Sequence, residues 1–466
     1  MSEPIIDIDL VKDSTMQKIA GAVAVIAANS GGYQIKTPKD IQAIVRAGLA
    51  DKFFQPGDQI IVEKETAITA TVGNSEGETG ITAASVSEAA FIAAVGTVHN
   101  GDYEFIYNGA EWHYNSVPVS LADYGITITG TAVHGDEVIV HETASQLVFD
   151  VIGYDVEEPL STDAEHSLTL QLHDVYSEMQ FDAREALFAF PNGLTAGAYK
   201  FTVGAQPWYA SDVNKVVTFT LTQAIPNNGV LVLTNGYNAT MIGTSIKSYA
   251  SLTATTEIEA VTLTEADVET VATDLGTVAD AISQDGNTNS IQRALLGSNN
   301  WKQSALRQYL NSSAAAGSVW APQTKFDRPP SWAATTAGFL KGIDPEFLSV
   351  LGFVKKTTSL NTVTDGGGTE ITSEKVFLLS STEAYFGGSE GTAYPYYSDF
   401  SDNGSASTDA DTNRIKYRNG TAKYWWLRSP NAGYASGVRY VLPSGALYSI
   451  RNAMNSSGVA PACCII

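Results

Sequence analysis

The sequence predicts a multidomain, β-rich protein with N-terminal helices, β-sandwich or jelly-roll-like modules, and a C-terminal α+β domain. Three observations carry this expectation. At 466 residues the chain is too long for one ordinary core. Its 40 glycines and a charged fraction of only 17% suit short strands joined by tight turns. The apolar spacing also changes along the chain, from three-and-four near the start to two from Gly57 onward.

Ser14 to Asn29 reads as a helix, with Ser14 at its N-cap and Met16, Ile19, Val23 and Ile26 along one face. The Ala and Gly filling the rest suit close packing against identical copies, so a homo-oligomer is one expectation, the alternative being a single amphipathic helix packed on its own domain. Thr37, Pro38 and Gly48 punctuate a second helix whose apolar stripe is Ile41, Ile44 and Val45. Residues 1–56 are therefore expected to form a helical attachment and oligomerisation region.

A β module is expected over 57–158. Asp58 to Val62 and Gly135 to Val140 read as strands, and Tyr103, Phe105 and Tyr107 alternate into Asn108-Gly109, with Trp112 and Tyr114 alternating out. That pattern predicts a hairpin with a type I′ turn. A second module, 159–260, alternates at Leu168, Leu170, Leu172 and again at Val217, Phe219, Leu221, with turns at Pro191-Asn192-Gly193 and Asn227-Asn228-Gly229. Residues 261–290, rich in Thr and Asp, read as a linker. Beyond them, Asn300 is placed to cap a helix carrying Trp301, Ala305, Leu306, Tyr309 and Leu310. Asp344-Pro345-Glu346 opens another helix, and Lys375 to Leu379 reads as a strand. Residues 291–466 thus form an α+β domain.

A formal net charge of −23 argues against a nucleic-acid partner, because a phosphate backbone demands clustered Lys and Arg. Anionic membranes are disfavoured likewise, and the longest small-apolar run, Ile19 to Ala28, is shorter than a bilayer span, so no membrane insertion is expected. The start, Met1-Ser2-Glu3-Pro4, lacks the basic segment of a secretory signal. Adjacent Cys463 and Cys464 would strain to bridge and are expected as buried thiols.

No cofactor, metal or catalytic set is expected. All six histidines, the last being His173, precede the C-terminal domain, so no Ser–His–Asp site forms within it. Asp409, Asp411 and Asn413 alternate as in a calcium loop but lack its Gly and distal Glu. Asp365 to Gly368 has no strand-to-helix context for holding phosphate. Asp182 and Glu185 are the carboxylates that a polysaccharide-cleaving reading would use.

The segment Tyr424-Trp425-Trp426-Leu427-Arg428-Ser429-Pro430, a Gly- and Asn-rich stretch after it, and the close on Gly458-Val459-Ala460-Pro461-Ala462 carry a resemblance. Together they resemble the C-terminal domain of gut bacteriophage and prophage structural proteins, which is similar to the C-type-lectin-like variable proteins diversified by retroelements. Those families close on Val-Arg-Pro-Ala, and here Ala460 stands in place of the Arg. Stretches around Ile41 to Gln59 and Asn299 to Ala337 also resemble phage structural proteins with this terminus.

The resemblance implies a C-type-lectin-like fold for 291–466, with Trp425, Trp426, Leu427 and Arg428 as the scaffold beneath variable loops. It implies a non-enzymatic virion protein (fibre, head-decoration or tail-tip) mounted through its N-terminus on a capsid or tail protein and binding a host-surface glycan or protein, and, with the Ala-rich segment Ile19 to Ile26, the trimeric state habitual in viral fibres. The alternatives are a purely structural decoration protein and a polysaccharide-cleaving fibre. The Glu-Pro-Asn, Gln-Pro-Asp and Trp-Asn-Asp motifs of calcium lectins are absent, so binding without calcium is expected.

Residues 431–457 contain no Lys, Glu, Gln, Asp or Trp. They offer Asn431, Tyr434, Ser436, Tyr440, Leu442, Tyr448, Ser449, Ile450, Arg451, Asn452 and Asn455. Tyr, Ser, Asn and Arg make effective contact surfaces, combining rigid aromatic area with adaptable polar groups. The competing reading is a hairpin whose tyrosines pack on its own core. The display reading expects one exposed patch around Tyr434, Tyr440, Tyr448 and Asn452, with Trp425 and Trp426 buried beneath it.

Overall fold

The computed structural model describes residues 37–74, 79–95, 101–204, 213–234, 245–262, 272–279, 286–397 and 412–466. The helix expected at Ser14 to Asn29, and Asp409 and Asp411, lie outside them. Among the described residues strand outweighs helix, 40% against 13%, in several separate sheets, so the protein is β-rich. The described residues divide into two compact units. One gathers those up to Ile60 with Phe149–Lys341 and Val350–Ile466; the other is Ile61–Val148 with Gly342–Ser349.

Within the second unit, Gly101–Tyr107 pairs with Trp112–Tyr114, matching Phe105 to Tyr114 and Tyr107 to Trp112. The turn between them has four residues and is not the expected type I′. Gly109 alone of its Asn-Gly pair takes a positive φ, 93°, and the Asn108 side chain accepts from the Ala110 and Glu111 N–H groups at 2.9 Å each. That side-chain bonding satisfies the turn without forcing Asn108 into the left-handed region. Phe91, Phe105, Val138 and Val140 form this unit's core.

In the first unit, Thr37 caps the helix Pro38–Arg46 through a reciprocal pair of bonds with Asp40, and Ile41, Ile44 and Val45 are buried. The expected boundary between 159–260 and 291–466 does not appear in the compact unit, and the reason is strand exchange. Leu168–Leu172 pairs on one edge with residues 149–154 and on the other with Ala462–Ile465. All five of its residues are buried, not just Leu168, Leu170 and Leu172. Gln171, on the opposite face from the leucines, donates to the Ala460 carbonyl at 3.0 Å and accepts from the Tyr397 hydroxyl. Cys463 and Cys464 are free, buried thiols, and burial raises both well above the ordinary thiol range.

Two further sheets share one core. The four-stranded sheet runs Phe188–Phe190, Gly229–Leu233, Ser245–Tyr249, Glu257–Thr262, and the three-stranded sheet Val216–Leu221, Gly197–Val203, Thr273–Val278. Phe188, Phe201, Phe219 and Leu231 meet between them, closed by the helix Ile291–Leu296. Thr273–Val278 corrects the expected linker: it runs parallel to Gly197–Val203 and buries Val278, a long-range pairing that local composition does not reveal. The next helix also starts later than expected. Ser304 caps Ala305–Leu310, while the Asn300 side chain accepts from Gln303 N–H at 3.1 Å and closes the preceding turn.

The fifth strand set orders as Leu447–Asn452, Gly437–Val441, Trp425–Pro430, Ser456–Val459, Ser177–Gln180. Among the described residues no helix is long and apolar enough to cross a membrane. Because Leu170 is buried between two paired neighbours, Leu170→Ala is expected to cost about 2–5 kcal/mol. Ile371→Ala, at a side chain 63% exposed, should stay within about 1 kcal/mol. Urea midpoints of the two variants check this, and equal shifts would contradict the burial assignment.

Candidate binding surface

The five-stranded sheet brings the motif residues and the candidate contact residues together. Alternation along Trp425–Pro430 sends Trp425 and Trp426 to opposite faces, and both are fully buried. Each indole N–H is satisfied inside, Trp425 by the Arg414 carbonyl and Trp426 by the Met179 carbonyl, both at 2.9 Å. Arg428 is equally buried. It grips Glu383 with two guanidinium nitrogens and donates to the carbonyls of Leu378 (2.7 Å) and Thr357 (3.1 Å). Burial alone would push the Glu383 carboxyl up. The nearby charges of Arg428 and Lys356 outweigh burial and hold the carboxyl below its ordinary value.

Cross-strand register then builds an aromatic ladder. Trp426 faces Tyr440, and Tyr440 faces Tyr448. Ring centroids lie 6.3 Å apart in the first pair and 5.5 Å in the second. Exposure climbs along the row, from 0% at Trp426 through 7% at Tyr440 to 49% at Tyr448. Below Trp426, Phe181 continues the column at 5.8 Å. Tyr424, 41% exposed, packs 5.7 Å from Tyr440. The Arg451 guanidinium lies 5.4 Å over the Tyr424 ring and 5.7 Å over that of Tyr440.

The expected single exposed patch is corrected by these positions. Tyr448 is exposed, and Asn431, Tyr434, Leu442, Ile450, Arg451 and Asn455 are half-buried. Ser436, Tyr440 and Asn452 are buried. Tyr440 sits in the middle of three strands and is covered by Trp426, Tyr424, Tyr448 and Arg451. Ser436 and Asn452 lie where the chain folds back onto the rest of the unit: the Ala453 N–H donates to the Ser436 carbonyl at 3.0 Å, and the Asp182 N–H to the Ala453 carbonyl at 3.1 Å. The Ser449 side chain lies outside the described set. Tyr424 is an exposed aromatic of this surface that the sequence did not single out. Its signal was present, since a position two before Trp426 shares that residue's face of the strand.

Between the strands, residues 431–437 are held through their backbone. The fully buried Asn299 donates to the carbonyls of Asn431 (3.4 Å), Tyr434 (2.7 Å) and Gly437 (2.9 Å). Its own N–H donates to the Ala435 carbonyl at 3.0 Å. The Ala435 N–H donates to Gln292 Oε1 at 2.8 Å, and Thr362 donates to the Ala432 carbonyl from both its N–H (2.8 Å) and its hydroxyl (2.9 Å). Every one of these bonds ends on a main-chain atom of the loop. The loop's path is therefore set largely by residues outside it, and within it the Asn431 side chain accepts from the Gly433 N–H at 3.0 Å.

Asp182 and Glu185 are 6% and 2% exposed, inside the unit and away from any surface where a polysaccharide would lie. Burial pushes the Glu185 carboxyl up to about 7, with Arg293 pulling down and Asp327 adding to the rise. Burial, then Asp327 and Glu185, raise Asp182 well above the carboxylate range. Glu185 Oε1 and Arg293 Nε have no hydrogen-bond partner. Among the described residues no group of three His, Cys, Asp or Glu side chains is placed to hold a metal.

Two predictions follow from burial in this region. Trp426→Ala is expected to cost about 3–5 kcal/mol and Tyr440→Ala about 3 kcal/mol, while Tyr448→Ala costs less than about 1 kcal/mol. Thermal melts rank them, and a Tyr448 variant as damaged as Tyr440→Ala would contradict the ladder. A carboxyl whose pKa is raised by folding favours the fold when protonated, so its contribution is present below about 4.5 and is lost as pH rises through about 7. Glu185→Gln should therefore leave stability near pH 4 unchanged and raise it near pH 8 by on the order of 3 kcal/mol. Urea titrations at the two pH values read this, and an equal effect at both would contradict it.

Residues 262–466 match the family described as domain of unknown function (DUF6273). No curated protein and no solved structure matches the chain.

Proposed function

We propose that this chain is a phage-type virion surface protein whose residues 291–466 form a C-type-lectin-like module attaching the particle to a host cell surface. The observation that carries this reading is the division of labour around the ladder. Buried motif residues and a backbone-held loop supply the framework, and Tyr424, Tyr448 and the half-buried Asn431, Tyr434 and Ile450 present side chains on it. A surface meant to accept many sequences has to draw its stability from elsewhere, and here it does. Mounting on a capsid or tail protein, and trimerisation, are assigned to the region 1–56. The proposed activity is binding, not bond cleavage, and the burial of Asp182 and Glu185 supports that choice over a polysaccharide-cleaving fibre.

Attachment of the labelled full chain to a panel of gut bacteria tests the proposal. Wild type should adhere to some strains and do so equally well in a calcium chelator. Tyr424→Ala and Tyr448→Ala should each weaken adherence about tenfold or more, with melting temperatures unchanged. Adherence that survives both changes would place the contact elsewhere. Failure of the wild-type chain to adhere to any strain would favour a purely structural decoration protein.

A further inference from the structure

Residues 412–466 contain no Asp or Glu and seven Lys or Arg, within a chain whose formal net charge is −23. Three of these cations are consumed inside the unit. Arg428 is held by Glu383, and Arg414 donates to the carbonyls of Gly445 (3.0 Å) and Ala384 (3.1 Å). Lys416 donates to the carbonyls of Leu172 and His173, and burial lowers it to about 8. Arg418 and Lys423 share one carboxylate, Glu178, at 3.5 and 3.2 Å. Among the described residues Arg451 is spent on no carboxylate. One Nη donates to the Ser456 carbonyl at 2.8 Å, and the guanidinium plane covers the Tyr424 and Tyr440 rings. The strands presenting the aromatic ladder are thus a cationic island on an acidic protein.

The apolar chemistry of the island is equally selective. The large apolar side chains exposed in this segment are tyrosines alone, Tyr417, Tyr424 and Tyr448. A peptide anchor needs aliphatic or aromatic pockets that swallow a side chain. Tyrosines lying at a surface instead offer ring faces with hydroxyl edges, matching a ligand with apolar faces and a hydroxylated rim.

Resting on the attachment reading above, we infer that the ligand is a carboxylated polysaccharide. Its sugar faces pack on Tyr424 and Tyr448, and a carboxylate pairs with Arg451. Arg451 keeps donors beyond those given to the Ser456 carbonyl and the Tyr440 hydroxyl, since a guanidinium carries five, and a planar carboxylate suits its fork. At physiological salt the Debye length is about 8 Å, so the acidic remainder of the chain is screened while contact pairing persists.

Retention of the full chain on immobilised polygalacturonate, alginate, hyaluronate and polysialate, with dextran and polyglutamate beside them, tests the inference. At least one carboxylated polysaccharide should bind at about 0.15 M salt and weaken about tenfold or more at about 1 M. Dextran should not bind, and polyglutamate should bind about tenfold more weakly or worse. Arg451→Gln and, independently, Tyr448→Ala should each lower retention about tenfold, with the fold checked by melting. Dextran binding equal to that of the acidic polymers would overturn the role of charge, and tighter binding of polyglutamate would make the ligand an acidic peptide. Adherence to cells without retention on any carboxylated polysaccharide would remove this ligand class and leave the attachment reading standing. Absence of both would remove the two together.

Discussion

The buried pair of Arg428 and Glu383 is the interaction on which the rest of the C-terminal architecture depends. Both side chains are at 0% exposure. Taking two ions out of water costs several kcal/mol each, and that cost is offset only when geometry and hydrogen bonding are nearly complete. Here they are. The guanidinium meets Glu383 with two nitrogens and reaches Thr358 and three main-chain carbonyls besides. Lys356 bridges Glu383 to Glu157, at 2.5 and 2.7 Å. Such a network tolerates few alternative placements, so the strand Trp425–Pro430 is fixed in depth and rotation. The two tryptophans, and with them the aromatic row that ends at Tyr448, inherit that placement.

The loop 431–437 extends the same logic to a segment with little packing of its own. Asn299, Gln292 and Thr362 fix it by bonding to its backbone, and Asn299 is in turn held by Asn361 at 2.9 Å. Beyond Asn431, whose side chain accepts from the Gly433 N–H, side-chain identity and loop path are thereby separated. Gly433 shows how far: a Cβ there would meet only the Asn431 Oδ1, at 3.6 Å, an ordinary contact. At Gly437 the space is tighter, with Ile450 3.1 Å away. Tolerance to substitution therefore ends where the loop re-enters the sheet.

Local signals were legible in the sequence and non-local ones were not. Thr37, Pro38 and the stripe Ile41, Ile44, Val45 define a helix because capping and amphipathicity act within a turn or two. Strand alternation at Tyr103 to Tyr107 and Trp112 to Tyr114 was likewise readable, whereas the turn between them was decided by one Asn108 side chain. The exchange of Leu168–Leu172 and Ser177–Gln180 into sheets with the C-terminus left no mark in their own composition, so a domain boundary was expected where strands in fact pair. Composition singled out Tyr440 and Tyr448, but it could not distinguish an edge strand from a central one. Tyr440 and Tyr448 look alike in sequence, and the strand order alone buries the first and exposes the second. Ser436 and Asn452 were misplaced for a related reason: Ala453, next to Asn452, bonds to Ser436 on one side and to Asp182, far away along the chain, on the other.

The central claim is that the framework of this surface is separable from the side chains it presents. Two libraries of the full chain would test it most directly, one randomised at Ala432, Gly433, Tyr434 and Tyr448 and the other at Ser436, Tyr440 and Asn452, each sorted for folded protein by protease resistance. The account predicts that most members of the first library survive sorting while differing widely in cell attachment, and that few members of the second survive. Equal survival of the two libraries, or loss of the first, would contradict it.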